Sequence, residues 1–305
     1  MILKSIASIL KQLIYSAQHR QLYALKSAIK ILKWIINYFD YKGDIMINKH
    51  GSFVGTDGVY LTTKSTKRYL KSNSTQKINQ GFLLYERIQT LGTINVIFDI
   101  GANVGEISIY LSKMYPNSKI FAFEPSKRNL KLFDENINNQ FFNCDNITII
   151  EKAVSNYNGK IKLTTSLNAQ NTTIIDPKIN REIKNNNLEY IDKVEEVDVI
   201  TLENLCDQNQ IKEIDFVKID IEGAEPLLTD SIKNLKPRII FMEISSKNTE
   251  AAFIEMLGKL SEIYEVYDNN FKIINDYKLF ISNLFSNPSS YYKVSCTDVW
   301  LVKKK

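Results

Sequence analysis

From Asn95 onward, short apolar runs alternate with amphipathic stretches of helical period. Val96–Ile100, Lys119–Phe123 and Ile147–Ala153 read as strands, separated by helices over Val104–Met114 and Lys127–Asn139. Phe216–Ile221 and Arg238–Ile244 continue the series as fourth and fifth strands, followed by helices over Pro226–Leu235 and Glu250–Leu260. Tyr264–Tyr267 and Asp298–Val302 read as the last two strands. Repeated βα units of this kind build a doubly wound, mostly parallel α/β sheet. Lys160–Thr165 and Val194–Thr201 read as extra strands around a polar, Asn-rich insertion near residues 168–192.

Upstream the pattern differs. Ile6, Ile9, Leu10, Leu13 and Ile14, then Leu25, Ile29, Leu32 and Ile36, fall at helical spacing, with lysines on the opposite face. This predicts one or two basic amphipathic helices within residues 1–40. Their apolar stripe suits packing on the main domain, a homodimer contact, or peripheral contact with an anionic membrane. Gly43, Gly51, Gly55 and Gly58 punctuate β-like pieces within 41–62, a small hairpin region. Residues 64–80 are polar, and Gly81–Leu91 reads as a helix entering the core. The division expected is a helical and hairpin extension over 1–91 and a cofactor-binding domain over 92–305.

Composition narrows the chemistry. The 305 residues are 44% hydrophobic and 24% charged, with a formal charge of +5, values ordinary for a folded domain. No basic stripe interleaved with aromatics points to nucleic acid. Cys144, Cys206 and Cys296 are far apart and form no CxxC pair, which suits a reducing cytosol and a cytoplasmic location. The two histidines, His19 and His50, both precede the main domain, so its chemistry falls to carboxylates, lysine, tyrosine or backbone groups. No signal peptide or membrane-spanning stretch is read from the N-terminus.

The strongest motif is Asp99-Ile100-Gly101-Ala102-Asn103-Val104-Gly105, between an apolar strand and an amphipathic helix. Its glycines permit a tight turn and close backbone approach to a ligand. The helix N-terminus beyond offers N–H groups to a ligand carboxylate. Asp99 ends its strand where open α/β sheets bind ligands, and Glu124, in Phe123-Glu124-Pro125, stands about 20 residues after the glycines, the offset at which an acid meets a ribose. A dinucleotide fingerprint needs G-x-G-x-x-G, and here the middle glycine is missing. The pattern therefore points to a nucleoside with a short zwitterionic arm, S-adenosylmethionine, over a nicotinamide cofactor.

The run Phe216-Val217-Lys218-Ile219-Asp220-Ile221-Glu222-Gly223-Ala224-Glu225-Pro226 carries the candidate chemistry. Strand alternation puts Lys218, Asp220 and Glu222 on one side, a costly set in a central strand unless paired or functional. Asp220 or Glu222 is the candidate general base for an acceptor hydroxyl, with Lys218 placed to hold that carboxylate ionised or to orient the acceptor. Such acids are also chemically able to hold Mg²⁺, an option left open and not expected here. A Lys218 ion pair that merely fixes the strand end is the structural alternative. Glu243 borders the same crevice, with structure and function equally open to it.

These blocks, in this order, resemble the FkbM family of methyltransferases. The matching residues are Asp99–Gly105, Glu124-Pro125, Glu151–Ser155, Val197–Leu202 and Val217–Glu225. The resemblance covers about 92–245. It implies a class I methyltransferase, Rossmann-like fold of seven strands with a reversed last strand. It also implies O-methylation of a sugar, glycan or secondary-metabolite hydroxyl. Asp99, Gly101, Asn103, Gly105 and Glu124 would contact the cofactor, and Ala153 would sit near the adenine. The competing functions are a cofactor-binding homologue without turnover and a nicotinamide-dependent oxidoreductase. The acceptor itself is not legible; the aromatic tail with Tyr277, Phe280, Phe285, Tyr291 and Tyr292 either shapes its pocket or fills the core.

Overall fold

The computed structural model describes residues 44–48, 51–56, 59–62, 92–138, 143–166, 172–174, 191–245, 249–286 and 296–305. The chain divides into two units, Met1–Ile78 and Asn79–Lys305. The helices expected within 1–40 and over 81–91 lie outside the described residues. In the first unit, β1 (Asp44–Asn48), β2 (Gly51–Thr56) and β3 (Val59–Thr62) form an antiparallel meander in which Ile45 pairs with Val54 and Val54 with Leu61. This matches the expected hairpin region.

The strands of the second unit are β4 (Val96–Ile100), β5 (Lys119–Phe123), β6 (Ile147–Ile150), β7 (Ala153–Val154), β8 (Gly159–Ser166), β9 (Thr172–Ile174), β10 (Ile191–Ile200), β11 (Phe216–Ile219), β12 (Ile239–Ser245), β13 (Tyr264–Asp268) and β14 (Cys296–Lys303). Its α-helices are α1 (Glu106–Met114), α2 (Lys127–Ile137), α3 (Leu202–Asn209), α4 (Thr229–Leu235), α5 (Glu250–Leu260) and α6 (Tyr277–Ser286). The main sheet has the order β13-β14-β12-β11-β4-β5-β6. Only β14 runs antiparallel to its neighbours. Numbered in chain order and read from β6, the main-sheet strands stand 3-2-1-4-5-7-6, seven strands with the last reversed, as the family resemblance implies. The strand order turns back between β4 and β11, the position at whose carboxyl ends open α/β sheets place a ligand crevice.

Alternation along each strand feeds two cores. Phe98, Ile100, Val217, Ile219, Ile240 and Met242 face Leu228, Ile232, Phe253 and Leu257 on one side. On the other, Ile97, Ile120, Phe216, Ile239 and Trp300 pack with Leu111 of α1. Each such side chain contributes about 1.5–3 kcal/mol by burial, which makes the sheet a firm base for the loops at its edge. Among the described residues no helix is long and apolar enough to cross a membrane.

Several local expectations are corrected. The third strand stops at Ile150, and Ala153–Val154 pairs instead in parallel with Val199–Ile200 of a second sheet, ordered β7-β10-β8-β9. That sheet holds both extra strands and part of the insertion, Thr172–Ile174. Helix α3, directly after β10, is absent from the expected elements: it starts where the Thr201 side chain accepts from the Asn204 amide at 3.2 Å, a local cap beyond the reach of the periodicity. Nor was α6 foreseen. It buries Ile281 and packs Tyr277, Phe280 and Phe285 on the core, so this part of the aromatic tail fills the interior, while Tyr291 and Tyr292 lie outside the described residues. The fourth strand ends at Ile219, because the Ile221 amide bonds to the Glu225 side chain and not to a neighbouring strand.

Candidate functional site

The turn after β4 is built from left-handed residues: Gly101 has φ 80°, Asn103 54° and Gly105 83°. A Cβ on Gly101 would lie 1.9 Å from the Asp220 carbonyl oxygen, and one on Gly105 would lie 2.0 Å from the Phe133 ring. Both glycines thus answer first to the protein's own packing, a demand the motif alone does not reveal. The Gly101 and Ala102 amides both donate to the Phe123 carbonyl, at 3.0 and 2.9 Å, so they are engaged at the end of β5. A pyrophosphate has no claim on these two donors, which argues against a dinucleotide. Helix α1 begins beyond Gly105 without a capping side chain and carries Glu106 in its first turn.

Asp99 is fully buried in β4, and its Oδ2 accepts from the Ser108 hydroxyl of α1 at 2.6 Å. Its Oδ1 stands 3.4 Å from Lys218 Nζ and has no hydrogen-bond partner among the described residues. Glu124, 4% exposed, follows β5 beside this turn. Its Oε2 accepts from the Asn103 amide at 2.9 Å, and its Oε1 from the Ser126 amide at 2.8 Å and Asn129 Nδ2 at 3.3 Å. Burial pushes the Glu124 carboxyl up to about 7, against the opposing pull of these donors and of Lys218. Asn103 and Glu124 are therefore joined directly.

Lys218 sits in β11 in register with Asp99 of β4. Its Nζ donates to the Gly101 carbonyl at 2.8 Å and lies 3.7 Å from Asp220 Oδ2. Burial disfavours the ammonium, but Asp99 first, then Asp220 and Glu243, outweigh it and hold Lys218 above the usual lysine range. Lys218 is a buried tie between the glycine turn, Asp99 of β4 and Asp220 just beyond β11. This makes the ion-pair alternative a real part of its role, and contact with an acceptor is not needed to explain its position.

Asp220 and Glu222 do not share a strand face as alternation predicts. Beyond Ile219 the chain turns, with Glu222 at φ 60° and Gly223 at φ 100°. Asp220 remains beside Lys218, its side chain 39% exposed at the crevice. Glu222 occupies the turn itself. Glu243 pairs in register with Asp298 across β12 and β14 and contributes to the field at Lys218. Ala153 is buried in the small sheet's cluster with Ile161, Val197 and Val199. Among the described residues, no group of three or more His, Cys, Asp or Glu side chains is placed to hold a metal ion.

Glu225 is the site residue the sequence reading left out. It is fully buried and bonds two amides of the turn. Burial raises it to about 7, against its amide donors, with Asp220 adding to the rise. Its signals in the sequence are its place at the end of the Val217–Glu225 block and its position directly before a helix-starting proline.

The sequence model of the methyltransferase FkbM domain matches residues 99–272. The 2-O-methyltransferase NoeI of Sinorhizobium fredii (strain NBRC 101917 / NGR234) is 28% identical over 159 residues, 50% of this chain and 64% of that protein. Methyltransferase sdnD of Sordaria araneosa is 29% identical over 156 residues, 42% of this chain and 57% of that one. The chain thus spans less than two thirds of the length of these relatives. Among solved structures, precorrin-6y C5,15-methyltransferase from Geobacter metallireducens GS-15 is 16% identical with a TM-score of 0.39, covering 75% of this chain and 89% of that one.

Proposed function

Because this chain belongs to the methyltransferase FkbM domain family, we propose that it transfers the methyl group of S-adenosylmethionine to a hydroxyl oxygen of a sugar, glycan or secondary metabolite. The observation that carries this reading is the pair of buried carboxylates, Asp99 and Glu124, on either side of the Gly101–Gly105 turn. Asp99, fully buried and ion-paired with Lys218, acts on the site through that lysine, which holds the Gly101 carbonyl of the turn. Glu124 suits the hydroxyls of a ribose. The 2-O-methylation in the name of the Sinorhizobium relative supports oxygen as acceptor.

S-adenosylmethionine supplies an electrophilic methyl group on a sulfonium. The residues of the chain have the remaining tasks. Glu124 and the turn fix one end of the crevice, and in-line alignment of the acceptor oxygen lowers the barrier by ordering the encounter. Asp220 faces the crevice and accepts the acceptor's proton, with Glu222 as the second candidate. Lys218, held by Asp99 and the Gly101 carbonyl, orients Asp220.

The test is transfer of a labelled methyl group from S-adenosylmethionine to a panel of mono- and oligosaccharides. Product labelled on oxygen, lost in the Asp220→Asn, Glu222→Gln double variant, is expected. Firm cofactor binding with no transfer across the panel would favour a homologue without turnover.

A further inference from the structure

Glu225 opens the short 3-10 turn Glu225–Leu228 and is wholly buried. Its Oε1 accepts from the Ile221 amide at 2.9 Å and from the Gly223 amide at 3.3 Å. One oxygen thereby closes the turn in which Glu222 and Gly223 are both left-handed. The other, Oε2, has no hydrogen-bond partner among the described residues. A buried polar atom left without a partner is unfavourable, so packing alone does not account for an acid here.

The turn is braced on its other sides. Ile221 and Leu227 pack against Ile161, Leu163 and Val197 of the small sheet. Opposite them, Gly101 is seated so closely that an added Cβ would meet the Asp220 carbonyl at 1.9 Å and Ile221 Cγ2 at 3.3 Å. The residue whose amide Glu225 holds is thus the wall behind the glycine turn.

We propose that Glu225 is a positioning residue for the cofactor site: through the Ile221 and Gly223 amides it sets the turn against which Gly101 rests. The role is indirect: among the described residues Glu225 bonds the Ile221 and Gly223 amides, not Asp99 or Glu124. It rests on the proposed cofactor and goes beyond it, assigning the strength of cofactor binding partly to a side chain buried behind the crevice.

The probe is S-adenosylhomocysteine, titrated calorimetrically into wild type, Glu225→Leu, Glu225→Gln and Val266→Ala. Leucine keeps the bulk and removes the acceptor; Glu225→Ala is the second variant if leucine does not fold. Glutamine keeps an Oε1 that accepts both amides. Val266, buried in β13 at the far edge of the sheet, controls for general loss of stability. Expected are affinity at least about tenfold weaker in Glu225→Leu, and affinity within about threefold of wild type in both Glu225→Gln and Val266→Ala. Amide hydrogen exchange over residues 219–224 should quicken in the leucine variant and be restored by glutamine. Wild-type affinity in Glu225→Leu, or equal weakness in Glu225→Gln, overturns the positioning role alone. A wild-type protein that does not bind the probe overturns the cofactor assignment beneath it.

Discussion

The Lys218 ammonium donates to the Gly101 carbonyl at 2.8 Å, joining positions 117 residues apart. That bond, with the Asp99 ion pair beside it, couples the strand that carries the candidate base to the turn that would hold the cofactor. One buried side chain thus ties the candidate base to the turn of the proposed cofactor site.

Lys218→Met should be strongly destabilising, because it leaves Asp99 buried without its counter-charge; breaking a buried pair this way costs about 3–5 kcal/mol. Adding Asp99→Asn should recover part of that loss. Urea unfolding of the single and double variants measures both, and additive losses would show that the pair is not coupled.

The two turn glycines should respond differently to alanine. In Gly101→Ala the new methyl meets a backbone carbonyl, which has no alternative rotamer. In Gly105→Ala it meets the Phe133 ring, which a smaller side chain can replace. Each also forces a non-glycine residue into a left-handed conformation, a strain of about 1–3 kcal/mol. Phe133→Leu should therefore relieve part of the Gly105→Ala loss and none of the Gly101→Ala loss, read from the melting temperatures of the three single and two double variants.

The buried acids set the sign of the pH response. Glu124 and Glu225 are each raised from 4.5 to about 7 by burial. Between those values the native state keeps a proton that the unfolded chain has released. Their stability contribution is full below the unfolded value and falls as pH rises through about 7. Glu124→Gln or Glu225→Gln should flatten the decline between about pH 5 and 7, by at most about 1.4 kcal/mol per pH unit for each group. Stability rising with pH over that window in wild type alone would contradict the assignment.

The sheet was legible because its strands are short apolar runs set off by helices of clear period. The glycine turn and Glu124 were legible because a tight turn and an acid at a strand end leave local marks. Lys218's bond to Gly101 was not, since it joins distant segments through register. The alternation of Lys218, Asp220 and Glu222 failed at Ile221, whose amide is taken by Glu225. Helix α6 was obscured by aromatic residues that suit a pocket or a core equally; only packing separates those uses.

Asp220→Asn should lower turnover by about 10²–10⁴-fold while leaving cofactor affinity nearly unchanged, the signature of a lost general base. Glu222→Gln measured beside it decides between the two carboxylates. Labelled methyl transfer, with affinity for S-adenosylhomocysteine measured in parallel, separates the two effects; a drop in affinity without a change in turnover would place Asp220 in cofactor binding instead.

Calorimetric titration of the intact chain with S-adenosylmethionine, repeated on Glu124→Ala, tests the central claim most directly. The account predicts saturable one-site binding in wild type, stronger at pH 8 than at pH 6 as the Glu124 carboxyl ionises near about 7, and loss of most of that affinity in the variant. Absence of binding at millimolar ligand, or equal affinity in the two proteins, would contradict it.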